Sequence, residues 1–398
     1  FCLLPLFLPP HPLIPGLCYT TAMYLDRDYT PRRRKNRNWL WWIAILGFIG
    51  AYFYARQPDW LTNQPLQPTA TPTRSALSWQ AEAEVRHTAG DYPAALAAFA
   101  RAAQLEPENA DPLVAQAEIY MTDRRITKAY ELAAQAVAVE PENVPALNIY
   151  ARTLDWQGQY EEAINAAFDA LDLDGENPTT LAILGEIYSD VGNWSRAQSY
   201  IDQALAIDPR HVLALRNQAV LYELQGDYER AVNIFQQAIA VAPRQPDLYI
   251  ELGRQYQALN DWDNALASYH KAVEVAPTAV TLDALGWGLY LSSDTLQAQR
   301  ELRKAVELDG EYGPALAHLG MAYYARRNYE EAAPTLEKAV AILGDDSRIE
   351  YYYSLGLAYI YKKPEECDKA RIWLLKSLEI DPETPPALEG LRLCPQEK

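Results

Sequence analysis

The chain has 398 residues, 49% of them hydrophobic, with 53 acidic against 35 basic side chains and a formal net charge of -18. That balance excludes a nucleic-acid binder relying on an overall basic surface, and the apolar content excludes a disordered or collagen-like chain. Four cysteines, Cys2, Cys18, Cys367 and Cys394, contain no CxxC pair and are too few for a disulfide framework.

In chain order, residues 1–22 lack an initial Met and are broken by Pro5, Pro9, Pro10, Pro12 and Pro15, a spacing no helix sustains. They read as a non-native upstream extension, with Met23 as the natural start. Residues 23–38 form a basic flank holding Arg32, Arg33, Arg34, Lys35 and Arg37. From Asn38 to Ala55 no side chain is charged, and this predicts a transmembrane helix over 39–55 with tryptophans crowding one end and tyrosines the other. Bulky Phe53, where a signal-peptide cleavage site wants a small residue, argues for an uncleaved anchor. Residues 1–75 carry eight basic and three acidic side chains, the rest 27 and 50. The positive-inside rule then keeps the N-terminus cytoplasmic and the acidic part extracytoplasmic, periplasmic or at the cell surface. Residues 56–75, with Pro58, Pro65, Pro68 and Pro72, read as an extended linker.

From Ala76 the sequence matches itself every 34 residues. Unit ends fall at Pro107, Pro141, Gly175, Pro209, Pro243, Pro277, Gly310, Gly344 and Pro382, and small residues recur in step, as in Ala83, Ala117, Ala151, Gly185, Ala219, Gly253, Gly286, Gly320 and Gly356. Small residues at fixed places let two antiparallel helices approach, and turn signals such as AGDY, QGQY and VGNW separate them. One such unit cannot bury its faces alone, so nine must stack over 76–384. The pattern resembles the tetratricopeptide repeat family, Trp79 to Pro107 and Tyr249 to Pro277 carrying much of its signature, and the basic flank and proline linker resemble its membrane-anchored bacterial members. The resemblance implies an all-α fold, a right-handed α–α superhelix of about nine helix-turn-helix repeats with a concave groove lined by first helices. Residues 385–398 should form a capping helix and tail. It would run back along the last repeat, bringing Cys394 toward Cys367, where two readings stand: a disulfide fastening the cap, worth at most about 3.6 kcal/mol by loop entropy, or two free thiols.

Groove positions read from this register change along the chain. Glu84, Glu118, Arg152 and Glu186 form a polar, mainly acidic early wall; Trp287, Tyr290, Met321, Tyr324, Tyr353, Leu357 and Tyr361 form an aromatic and aliphatic late patch. Such a patch suits the anchors of a protein or peptide partner, the alternative being that some of these rings are core between repeats. No phosphate loop, nucleophile elbow or metal-type histidine spacing occurs, so no enzyme, cofactor or metal site is expected. The sequence thus points to a membrane-tethered scaffold that binds partner peptides or helices in its groove. Its alternatives are a cytoplasm-facing adaptor regulating envelope biogenesis and a structural subunit that self-assembles as a homo-oligomer.

Overall fold

The computed structural model describes residues 38–56, 74–362 and 366–394, so the upstream extension, the basic flank before Asn38 and most of the linker lie outside the described residues. The chain divides into one unit up to Pro72 and a second from Thr73. In the first, Trp39–Ala55 is a helix of 17 residues with every side chain exposed. At 1.5 Å per residue it is about 25 Å long, against a hydrocarbon core of about 30 Å. No helix among the described residues is long and apolar enough to cross a membrane. The expected span is therefore present as an apolar helix and not as a demonstrated crossing.

The second unit is all helical among its described residues. First helices of the nine repeats are Ala76–Thr88, Asp111–Thr122, Val144–Trp156, Pro178–Asp190, Val212–Leu224, Pro246–Ala258, Ala279–Leu291, Gly313–Ala325 and Ile349–Lys362. Second helices are Tyr92–Leu105, Ile126–Val139, Tyr160–Leu173, Trp194–Ile207, Tyr228–Val241, Trp262–Val275, Thr295–Leu308, Tyr329–Leu343 and Cys367–Ile380. Each turn of repeats 1–8 places one residue in the left-handed region. Gly90, Gly158, Gly192 and Gly226 take it without a side-chain clash, while Arg124, Asn260, Ser293 and Arg327 take it at a steric cost. Asp91, Asn193, Asp227, Asp261 and Asp294 then accept a hydrogen bond from the first turn of the next helix.

Within a repeat the small column meets a large residue of the second helix. A Cβ added at Gly253 would lie 2.5 Å from the Tyr269 ring, and one at Gly320 2.5 Å from Leu336. Phe99, Phe235 and Tyr269 are buried as the pattern requires. The array ends in Pro385–Leu393, whose Ala387 and Gly390 pack inward, Gly390 against Leu374 and Leu357. Cys367 and Cys394 are joined by a disulfide with Cα atoms 5.5 Å apart, so of the two sequence readings the structure has the bonded one. Cys2 and Cys18 lie outside the described residues.

The solenoid also closes on itself across six repeats. The turn of repeat 1 nests against the end of repeat 6: a Cβ at Gly90 would lie 2.7 Å from the Val275 carbonyl, and Ala276 is fully buried in one cluster with Ala83, Tyr92, Phe99 and Ile119. Arg244 donates to the Thr88 carbonyl at 3.0 Å. Arg125, in the turn of repeat 2, pairs with Asp309 at the end of repeat 7. If this pair holds the closure, Arg125→Glu should speed amide exchange over residues 86–91 and 123–126 about tenfold, and adding Asp309→Arg should slow it again; hydrogen-exchange mass spectrometry reads both.

Candidate functional site

Two first-helix columns occupy the groove positions that the repeat register implies. One runs Glu84, Glu118, Arg152, Glu186, Val220, Arg254, Trp287, Met321 and Leu357; the other, three residues on, runs His87, Met121, Asp155, Ser189, Glu223, Gln257, Tyr290, Tyr324 and Ile360. Both lose their charged members after repeat 6. The structure makes this a change in physical character.

In repeats 1–6 a set of buried charges pair with one another. Arg152 Nε donates to Glu186 at 2.9 Å, Trp156 Nε1 donates to the same carboxylate at 3.2 Å, and Arg216 reaches Glu186 at 3.3 Å and Glu251 at 3.5 Å. Arg254 approaches Glu251 at 3.4 Å and Arg124 does so at 3.8 Å, with its guanidinium over the Trp156 ring. Arg124 belongs to the turn of repeat 2, so this network is part of the closure, and these contacts accompany its left-handed backbone. Burial pushes the Glu186 carboxyl up, but Arg152 and Arg216 outweigh it and hold the group down at about 2. Glu251 is likewise lowered against its burial by Arg254, Arg216 and Arg124. Removing one partner of such a buried pair leaves an uncompensated charge, at a cost of roughly 3–5 kcal/mol. Of the early wall residues named from the sequence, Arg152 and Glu186 are thus bonded to each other, and Glu84 is exposed. Glu118 lines a cavity of about 840 Å³ with Asp247, His87 and Trp156. Burial raises both Glu118 and Asp247. A second cavity, of about 1180 Å³, lies under Arg125 and Asp309 and reaches Trp287 and His318.

In repeats 7–9 the concave surface is aromatic. Trp287 lies between the Tyr290 ring at 4.8 Å and the His318 ring at 4.0 Å, both nearly parallel to it. His318 Nδ1 is 2.7 Å from Asp283, which orients the imidazole for that stack. Tyr324 meets Tyr329 edge to face at 5.6 Å, and Tyr329 meets Tyr361 at 5.0 Å. Met321 and Leu357 are buried core side chains, whereas Tyr324 and Tyr353 are half-buried and Tyr361 is 48% exposed. The structure therefore separates the late patch into a packed floor and an accessible tyrosine face. Tyr329, on a second helix, joins this face; the groove columns follow first helices, so sequence reasoning passed over it. Arg124, Arg125, Glu251 and Asp309 were missed for a different reason, since pairs such as Arg125 and Asp309, 184 residues apart, share no local pattern.

Family models described as tetratricopeptide repeat match residues 184–248, 224–285 and 289–351, and a model described as anaphase-promoting complex, cyclosome, subunit 3 matches residues 88–170. The solenoid is built of tetratricopeptide repeats. Among solved structures it resembles the Cut9–Hcn1 hetero-tetramer of the APC/C, with a TM-score of 0.62 at 18% identity over 85% of this chain and 66% of that one. The matched part thus spans about two thirds of that relative. It also resembles human IFIT1, a dimer with PPP-AAAA, with a TM-score of 0.55 at 17% identity over 82% of this chain and 92% of that one. No curated protein sequence matches the chain. In all 458 solved chains match it, so the fold by itself selects no particular job.

Asp155 stands apart in this wall. It is 2% exposed and forms no ion pair, and burial together with Glu186 and the Asp190 carboxyl, with which it shares a hydrogen bond, pushes it up to about 9. The folded protein keeps a proton there that the unfolded chain releases above its ordinary value of 3.8. Stability should therefore fall as pH rises from about 4 toward 9. Asp155→Asn, which mimics the protonated acid, should flatten that fall; its melting temperature should match the parent's near pH 4 and exceed it by a few degrees near pH 9.

Proposed function

We propose that the protein is a membrane-tethered interaction scaffold that acts by binding and not by catalysis, and that its partner docks on the concave surface of repeats 7–9. The observation that carries this reading is the contrast within one groove. Arg152, Glu186, Arg216 and Glu251 of the early wall pair with one another, whereas Tyr290, Tyr324, Tyr353 and Tyr361 retain partly exposed ring surface and line neither cavity. Large aromatic anchors dominate protein interfaces because they bury much area with few rotors to freeze. Cut9, whose solenoid this one resembles, is found in a hetero-tetramer. Replacing Trp287 and Tyr324 together with Ala should reduce recovery of a partner, photo-crosslinked through a label at Tyr353, by about thirtyfold. The helical circular-dichroism signal should be unchanged; loss of that signal would mean that both rings are core.

Tethering is assigned to Trp39–Ala55. The helix is apolar all round, with Trp41, Phe48 and Tyr54 between 72% and 82% exposed, a character that suits lipid. The basic flank favours a cytoplasmic N-terminus, and a disulfide between Cys367 and Cys394 suits an oxidising compartment. Labelling intact cells with a membrane-impermeant maleimide should modify these two cysteines only after mild reduction. Labelling that needs permeabilised membranes and no reductant would instead establish the cytoplasm-facing adaptor.

A further inference from the structure

The closure also walls in a cavity that partner docking on repeats 7–9 does not use. Its volume of about 840 Å³ lies in the range of small-ligand pockets. Six acidic or arginine residues line it: Glu118, Arg124, Arg152, Arg216, Arg244 and Asp247. Three of these have carboxylate partners, Arg152 on Glu186, Arg216 on Glu186 and Glu251, and Arg124 on Glu251. The other three have no ion pair within the described protein: Glu118 on the first helix of repeat 2, and Arg244 and Asp247 at the start of repeat 6. Arg244 donates only to the Thr88 carbonyl, and the two carboxyls make no hydrogen bond. Burial raises both of them, so water solvates them poorly. Asn148, 5% exposed, lines the same cavity; its Oδ1 accepts from Thr180 at 2.9 Å, and its Nδ2 donates to nothing in the described protein. On an open surface water would serve such groups. In a cavity formed where repeats 1 and 2 meet repeat 6 they are unmet capacity for a ligand.

We propose that this cavity binds a small zwitterion, an amino acid or short peptide with free termini, whose ammonium group goes to Glu118 and Asp247 and whose carboxylate goes to Arg244. The unpaired groups are of both signs, and so must the ligand be. An anion alone would bring its charge to two carboxyls that have no cation of their own. A cation alone would leave Arg244 without a carboxylate and would share the space with Arg124, Arg152 and Arg216. A neutral ligand would cover all three charges and pair none, which costs their desolvation. A zwitterion gives each charge a charge-assisted hydrogen bond and gives Asn148 Nδ2 an oxygen acceptor. Met121, Ile149 and Ile183 line the same space and suit an apolar side chain between the two ends. The cavity takes residues from repeat 1 and from repeat 6, so a ligand held there also favours the closed solenoid.

The test is equilibrium dialysis of the full chain, held in detergent micelles, against four radiolabelled probes: leucine, an alanine-leucine-alanine tripeptide, and that tripeptide either N-acetylated or C-amidated. The free tripeptide should bind saturably, and blocking either end should weaken it about tenfold, since a hydrogen bond between charged groups is lost. Glu118→Gln should weaken the free tripeptide about tenfold and leave the acetylated one unchanged, because the ammonium group that Glu118 serves is already gone. Arg244→Met should do the same with the amidated one. Both variants should melt as the parent does. If Arg244→Met instead speeds amide exchange over residues 86–91 through its lost bond to Thr88, the Glu118→Gln comparison alone decides. Leucine bound as tightly as the tripeptide would assign the site to free amino acids, and a tighter tripeptide would assign it to peptides; both support the proposal. It is overturned if neither leucine nor the free tripeptide binds, if the blocked tripeptides bind as tightly as the free one, or if Glu118→Gln weakens free and acetylated tripeptide alike.

Discussion

Everything in this solenoid depends on how closely the two helices of a repeat can approach. The small column at Ala83, Gly185, Gly253, Gly286 and Gly320 sets that distance, because the space a Cβ would need at the glycines is taken by Ile201, Tyr269, Leu302 and Leu336. The large residue that fills each gap belongs to the same repeat, so every helix pair has one packing solution and passes the same small rotation to the next. Stacking nine such pairs with little variation turns a local steric rule into a superhelix. The cap at Pro385–Leu393 covers the last apolar face, and the Cys367–Cys394 bond ties it to the second helix of repeat 9.

Accumulated rotation has a consequence at the sixth repeat, where the solenoid meets its own start. Gly90 against Val275, Arg244 on the Thr88 carbonyl and Arg125 on Asp309 convert the early groove from an open wall into an enclosed space. Inside such a space isolated charges are costly, and the structure answers with an alternating network in which Glu186 sits between Arg152 and Arg216, and Glu251 among Arg216, Arg254 and Arg124. Asp155 gains no ion pair from this network, and burial with Glu186 and Asp190 holds it toward its neutral form, as burial also raises Glu118 and Asp247.

Beyond the closure the constraint is lifted. Repeat 8 still meets the turn of repeat 2 across the larger cavity through Gly313, Pro314 and His318, whereas Tyr324, Tyr353 and Tyr361 lie outside that cavity, and the groove positions there carry rings and not ions. Trp287 marks the boundary, since it lines the larger cavity on one side and stacks on Tyr290 of the tyrosine face on the other. One continuous column of first-helix positions thus serves two ends: self-association of the chain where the turn closes, and an accessible aromatic surface where it does not.

Much of this was legible in the sequence because it is local. The 34-residue period, the helix limits, the small and large columns, and the change of groove character between Arg254 and Trp287 all follow from patterns within one repeat or between neighbours, which obey the same steric and capping rules each time. The pairing of Cys367 with Cys394 was legible only as one of two outcomes, since spacing brings thiols near without deciding whether they bond. Tertiary structure alone decided that Arg152 and Glu186 are partners and not two independent groove charges, that Met321 and Leu357 are floor while Tyr353 and Tyr361 are surface, and that Arg125 finds Asp309. The reason is physical. Closure sums small rotations over six repeats, each too slight to leave a mark on any one of them, and burial of a groove residue depends on what that sum brings to face it.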